Sequence, residues 1–219
     1  DQVAGLVRPP SDALGSNNWV VSGARTESGR PLLANDPHLS VQVPPAWYAV
    51  HLVGGGVDVA GFSLPGTPGV VVGHNGRLAW GITNVGADVQ DLYVERRNPE
   101  NPREFAYEGR WEEATIVREE IAVRGWLKPE ALEILYTRHG PVLNADVPGE
   151  APLALSWTAL APTRLWRSIL RLNTAADWQE FRTAVVDFDA PAQNFVYADR
   201  EGNIGYQMSG RIPLRAWGD

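Results

Sequence analysis

The chain of 219 residues contains no cysteine. That absence removes disulfides, thiolate metal sites and cysteine nucleophiles together, and it fits either redox compartment. Positive charge is sparse: 19 Lys and Arg stand against 26 Asp and Glu, a net charge of −7. Only Arg96 and Arg97 are adjacent and no basic run exists, which argues against a nucleic-acid surface. No apolar stretch reaches the roughly 18 residues that a membrane-spanning helix needs, so no membrane partner is expected. The start, Asp1-Gln2-Val3-Ala4, has no basic segment leading into an apolar one, and no signal peptide is expected there. The expectation is a soluble segment of something longer.

Several catalytic signatures are missing as well. There is no G-x-S-x-G elbow, no S-x-x-K and no H-E-x-x-H. The four histidines, His38, His51, His74 and His139, lack metal-ligand spacing. Gly54-Gly55-Gly56 is not followed by Lys-Ser/Thr, so it reads as a turn or bulge rather than a phosphate loop. No organic cofactor is expected.

What is present points to strands. Apolar residues make up 44% of the chain, enough for a real core, and 22 Gly and 17 Pro punctuate it throughout. Nine Trp suit a bulky β core or a pocket for apolar ligands. Residues 1–15, with Arg8-Pro9-Pro10 and a closing Gly15, read as a linker. A strand is expected to start at Trp19-Val20-Val21, turn at Glu27–Arg30 and return at Pro31–Ala34. Further strands are expected at Trp47–Val53, Val57–Phe62, Gly69–Gly73, Leu78–Thr83, Val89–Glu95, Ala114–Val123, Ala131–Tyr136 and Asn194–Ala198. One helix is expected, capped by Thr174, carrying Trp178, Phe181 and Val185 on one face and ended by Asp189-Ala190-Pro191.

The informative stretch is Gly15-Ser16-Asn17-Asn18-Trp19, where linker becomes strand, with Asn35-Asp36-Pro37-His38-Leu39 at the end of the second strand. Gly73-His74-Asn75-Gly76 with Trp80-Gly81 follows, then Asp88-Val89-Gln90-Asp91-Leu92-Tyr93-Val94-Glu95-Arg96. Last comes Gln193-Asn194-Phe195-Val196-Tyr197-Ala198-Asp199 with Gly202-Asn203-Ile204-Gly205-Tyr206. In this order the motifs resemble those of the penicillin acylase family, amino-terminal-nucleophile hydrolases whose β-chains begin Ser-Asn-x-Trp. The likeness runs from Ser16 to the C-terminus and implies that 16–219 is the first part of such a β-chain.

A serine hydroxyl is a weak nucleophile until a base takes its proton. A free α-amine, with a pKa near ~8, can be that base and sits on the same residue. The design needs Ser16 to be first in its chain, so the resemblance implies self-cleavage after Gly15, and Gly15 allows close approach. It further implies an oxyanion held by the Val85 backbone N–H and the Asn194 amide. His38 stands where the penicillin G branch carries Gln. Its backbone is expected to hold Ser16 and its ring to orient the α-amine. Leu39 and Ile82 match acyl-pocket positions, with ordinary core packing the competing reading, and Arg215 matches an arginine at the active-site rim. Asp88 and Asp91, with the Gln90 carbonyl, correspond to a structural Ca2+ site completed by a glutamate of the other subunit; solvated surface charge is the plain alternative.

The implied fold is α+β: a partial αββα sandwich, β-rich with few helices. Its partners are expected to be an N-acyl amide substrate, its own α-chain and the rest of the β-chain, in the periplasm or the medium. The implied reaction cleaves a non-peptide amide, such as the acyl side chain of a β-lactam, and the isolated segment is expected to be inactive. An N-acyl homoserine lactone acylase and a non-catalytic β-rich binding module remain as alternatives.

Overall fold

The computed structural model describes residues 15–39, 42–145, 147 and 149–215, so the expected linker before Gly15 lies outside the described residues. The chain divides into two compact units, one formed by the residues up to Ala87 and from Pro162 onward, the other by Asp88–Ala161.

In the first unit, β1 (Gly15–Val21) and β2 (Leu32–His38) form an antiparallel pair. They are followed by β3 (Tyr48–Gly54), β4 (Val57–Ser63), β5 (Val72–His74) and β6 (Leu78–Asn84). The second unit holds β7 (Gln90–Val94), β8 (Glu104–Tyr107), β9 (Arg110–Glu113), β10 (Thr115–Ile121), β11 (Glu130–Thr137), β12 (Gly140–Pro141) and β13 (Leu153–Trp157). The chain then returns to the first unit with α1 (Leu165–Thr174), α2 (Trp178–Val185), β14 (Gln193–Asp199) and β15 (Ile204–Ser209).

Six strands form one antiparallel sheet in the order β15-β14-β6-β5-β4-β3. Two neighbouring inner strands, β14 and β6, explain the layering. Phe195 and Tyr197 point to one face, where they are fully buried with Trp80, Leu172, Phe181 and Val185 beneath the helices. Val196 and Ala198 point to the other face and are buried there too. A strand buried on both faces reads as a continuous apolar run, which is how Phe195–Ala198 reads. The β1–β2 hairpin covers this second face: the Asn18 amide donates to the Asn194 carbonyl at 3.0 Å, and the Asn35 amide to the Ile82 carbonyl at 2.8 Å. Helices, sheet and hairpin thus form three successive layers, part of an αββα sandwich, and the fold is α+β with few helices, as expected.

Local chemistry explains where the elements differ from expectation. The strand expected from Trp19 starts at Gly15, four residues earlier. Thr174 does not cap the helix that follows; it is the last residue of α1, and its hydroxyl donates back to the Arg171 carbonyl at 3.2 Å. The cap of α2 is Asp177, whose carboxylate accepts from the Glu180 N–H at 2.8 Å while the Glu180 carboxylate accepts from the Ala176 N–H at 2.9 Å. Helix α1 has no capping side chain at Arg164, so its start carries no sequence signal. It is held instead by Ile169 and Leu172 in the core and by Arg167 and Arg171, both donating to Asp187. The Arg167 guanidinium holds the Asp187 carboxyl below its ordinary pKa. Gly55 and Gly56 form the β3–β4 turn with φ of +58° and +85°, the left-handed pair that two-residue hairpin turns favour. Among the described residues no helix is long and apolar enough to cross a membrane.

The second unit packs a smaller core around Phe105, Ala114, Val142 and Ala154. Its polar centre is Glu95, buried and hydrogen-bonded at 2.9 Å to His139, whose ring stacks on Tyr93 with centroids 3.9 Å apart.

Candidate active site

Side chains alternate along a strand, so Ser16, Asn18 and Val20 share the face of β1 turned toward the sheet, whereas Gly15, Asn17 and Trp19 are exposed. Antiparallel register sets Ser16 opposite Pro37, and Asn18 opposite Asn35. The two asparagines fasten the hairpin to the sheet. Asn35 grips the Ile82 peptide at both ends, accepting from its N–H at 3.0 Å and donating to its carbonyl at 2.8 Å, and it also donates to the Asn17 carbonyl at 2.9 Å. Gly81 makes room for this grip, since a Cβ there would lie 2.8 Å from the Asn35 Cβ. The Trp80-Gly81 pair is therefore explained: the indole fills the helix-side core and the glycine admits Asn35 on the other side.

With the hairpin fixed in this way, the Ser16 hydroxyl donates to the carbonyl of Gly15 at 2.7 Å. Asn194 lies at the start of β14 on the sheet's hairpin-facing side, paired with Thr83. Its amide nitrogen donates to the Asn84 carbonyl at 3.1 Å and the Thr83 hydroxyl at 3.3 Å, and its amide oxygen accepts from the Tyr206 hydroxyl at 2.6 Å. Asn84 is held in turn by Gln193, which donates to its side-chain oxygen at 2.6 Å.

The other expected site residues are placed less uniformly. The Val85 N–H, expected to face an oxyanion, donates to the Ala192 carbonyl at 3.2 Å. The His38 ring was expected to orient the α-amine. It shares the exposed face of β2 with Asp36 and bonds to it at 3.0 Å, on the side away from Ser16, which pairs with the inward Pro37. The part of His38 opposite the Gly15-Ser16 bond is its backbone, paired with Gly15. Ile82 packs against the helix-side cluster rather than an open pocket, because odd and even positions of β6 face opposite ways and Ile82 shares the Trp80 side. Leu39 is half exposed just beyond β2, and Arg215 is partly buried near the end of the described residues. None of these three lines the groove of about 610 Å3 that opens beside Pro37, whose walls include Leu33, Trp47, Phe62 and Val72.

Asp88, Gln90 and Asp91 belong to the second unit. The Asp88 carboxylate accepts from the Gln90 N–H at 3.4 Å, and Asp91 sits on β7 opposite Ser156. Calcium takes six to eight oxygens. Among the described residues no group of three His, Cys, Asp or Glu converges, so these residues fit part of such a site and not the whole of it.

Sequence reasoning gave no role to Asn18, Asn35 or Tyr206. The alternation within Ser16-Asn17-Asn18-Trp19 already places Asn18 on the serine's face, and that was the available signal for it. Nothing comparable marks Tyr206, whose partner lies across a strand pair.

Strand-rich layers with helices on one face and a serine-bearing hairpin on the other define the class, and comparison defines the family. The penicillin amidase family model matches residues 1–219, and the chain belongs to that family. It is 38% identical to the acyl-homoserine lactone acylase QuiP of Pseudomonas aeruginosa, over 93% of this chain and 25% of that protein. It is 35% identical to the penicillin acylase 2 proenzyme of Pseudomonas sp. strain SE83, over 94% of this chain and 27% of that protein. Among solved structures, a thermostable penicillin G acylase from Alcaligenes faecalis superposes with a TM-score of 0.74 at 30% identity, covering 86% of this chain and 34% of the other. The chain spans about a quarter of the length of the curated relatives it matches.

Proposed function

We propose that this chain is the nucleophile-bearing segment of an amide hydrolase in which Ser16, once freed at its amino end, forms an acyl-enzyme. The observation that carries the reading is the junction itself: Ser16 faces the sheet, and its hydroxyl lies 2.7 Å from the Gly15 carbonyl oxygen. In the cleavage step Oγ attacks the Gly15 carbonyl carbon and the C–N bond breaks. The Ser16 nitrogen takes up the hydroxyl proton and becomes a free amine. Water then hydrolyses the resulting ester.

In the catalytic step the neutral α-amine accepts the Oγ proton as Oγ attacks the substrate amide carbon. The proton passes to the departing amine, and water releases the acid by the same route in reverse. Asn194 donates to the developing oxyanion. Its contacts to Thr83 and Asn84 are with neutral acceptors, and a negative oxygen competes well against those. The Val85 N–H joins only by giving up its bond to Ala192, so Asn194 is the principal donor. Replacing one such donor typically costs ~10²–10³ in rate.

The groove beside Pro37 has the apolar walls to receive an acyl chain, and relatives named for penicillins and for acyl-homoserine lactones both suit an apolar acyl group joined to an amine. The intact protein requires the remaining three-quarters of the family length for its full pocket, and the segment alone is inactive. Asp88, the Gln90 carbonyl and Asp91 would hold part of a structural calcium site, which would brace this stretch with further oxygens from outside this segment. The decisive test is Ser16→Ala in the full-length precursor, which abolishes both cleavage at Gly15 and amide turnover. Unchanged turnover would end the proposal.

A further inference from the structure

The Gly202–Tyr206 motif has three distinctive residues, and the fold accounts for two of them. Asn203 closes the β14–β15 turn, donating from its backbone and its side chain to Asp199 at 2.8 and 2.9 Å. Gly205 lies under the Trp178 ring, which a Cβ would approach to 2.5 Å. Tyr206 is different. The residue is 58% exposed and contributes little to the core, yet its hydroxyl makes the short 2.6 Å bond to the Asn194 amide oxygen.

We propose that Tyr206 is a positioning residue that locks the Asn194 amide with its nitrogen toward the oxyanion, a role that rests on the reading of Asn194 given above. An asparagine amide has a donor end and an acceptor end of nearly the same shape, and rotation by half a turn would present an oxygen to the oxyanion. The Asn84 carbonyl selects the orientation, and the Tyr206 hydroxyl holds the amide plane in it. The Asn84 carbonyl only accepts, so the end it meets must be the nitrogen. The Tyr206 hydroxyl meets the other end and donates to the oxygen. Flipping the amide sets two oxygens against each other at Asn84, and the Tyr206 hydroxyl would then accept from the nitrogen instead of donating to the oxygen. Donation to the oxygen also draws electron density from the amide and makes its N–H a stronger donor. Tyr206 pairs with Val196 on the adjacent strand, two positions beyond Asn194, so the reach is diagonal across one face of the strand pair, within range of a long aromatic side chain.

The test is a double-mutant cycle in the full-length processed enzyme, using Tyr206→Phe, Asn194→Ala and both together, with kcat and KM measured on an amide substrate. Tyr206→Phe lowers kcat by ~3–30-fold with little change in KM, the loss of one neutral hydrogen bond acting only through the transition state. In the Asn194→Ala background the same change has no further effect. Thermal midpoints of Tyr206→Phe and the parent stay together, which separates positioning from folding. Equal Tyr206→Phe losses in both backgrounds, or none in the parent, overturn the positioning role while leaving Asn194 as the donor. An Asn194→Ala enzyme with undiminished kcat overturns both.

Discussion

The bond between the hairpin and the sheet rests on few groups, and Asn35 is the most consequential of them. Truncation by Asn35→Ala removes three hydrogen bonds, to the Ile82 N–H, the Ile82 carbonyl and the Asn17 carbonyl. Ile82 cannot turn elsewhere: β5 pairs with β6 only at Trp80 and Ala79, so along this edge the asparagine stands in for a missing strand. At about 1 kcal/mol net for each bond, with a further cost for half-buried groups left unpaired, the loss is ~2–4 kcal/mol. Hydrogen exchange of β6 peptides in the full-length precursor reads this locally, because that free energy corresponds to roughly 30- to 700-fold faster exchange. Asn35→Asp keeps the acceptor for the Ile82 N–H but sets a carboxylate against two carbonyl oxygens, so it lies no closer to the parent than alanine does. Exchange within about threefold of the parent for Asn35→Ala would refute the claim that this side chain substitutes for a strand.

Other perturbations have outcomes as definite. Gly205→Ala drives a methyl into the Trp178 ring, and the full-length protein loses ~1–3 kcal/mol by overpacking, measured as a lower thermal midpoint, with a smaller loss when Trp178→Leu is added. Asp187 contributes stability that is fully present above its unfolded pKa, near 3.8, and fades as pH falls through its lower folded value. Unfolding midpoints of Asp187→Asn therefore fall below the parent at neutral pH and converge with it under acid. His38→Gln, which trades the exposed contact with Asp36 for a neutral one, leaves precursor cleavage within about threefold of the parent, assayed by the appearance of the processed chain.

Much of this arrangement could be read from residues alone, for identifiable reasons. The β6 and β14 strands were legible because both faces are buried and their sequences are continuously apolar. The position of Ser16 was legible because a proline-rich stretch gives way there to strand residues. Helix α1 went unread because Arg164 offers no cap, although Leu165, Ile169 and Leu172 keep helical spacing toward the core. The hairpin β8–β9 also went unread: its strands are four residues each and carry charges at Glu104, Arg110, Glu112 and Glu113. At the site, the ordered family motifs pointed to Ser16 and Asn194, whereas side-chain direction is decided by register. That is why Ile82 turned to the helix side, and why the His38 ring turned outward to Asp36.

The proposed chemistry requires Ser16 to become a chain terminus before it acts. Amino-terminal sequencing of the mature enzyme, paired with intact mass of the Ser16→Ala precursor, tests it most directly. The mature chain is expected to begin Ser16-Asn17-Asn18-Trp19, and the variant precursor to stay uncleaved and inactive. An active enzyme with Gly15 still joined to Ser16, or one beginning at a different residue, would contradict it.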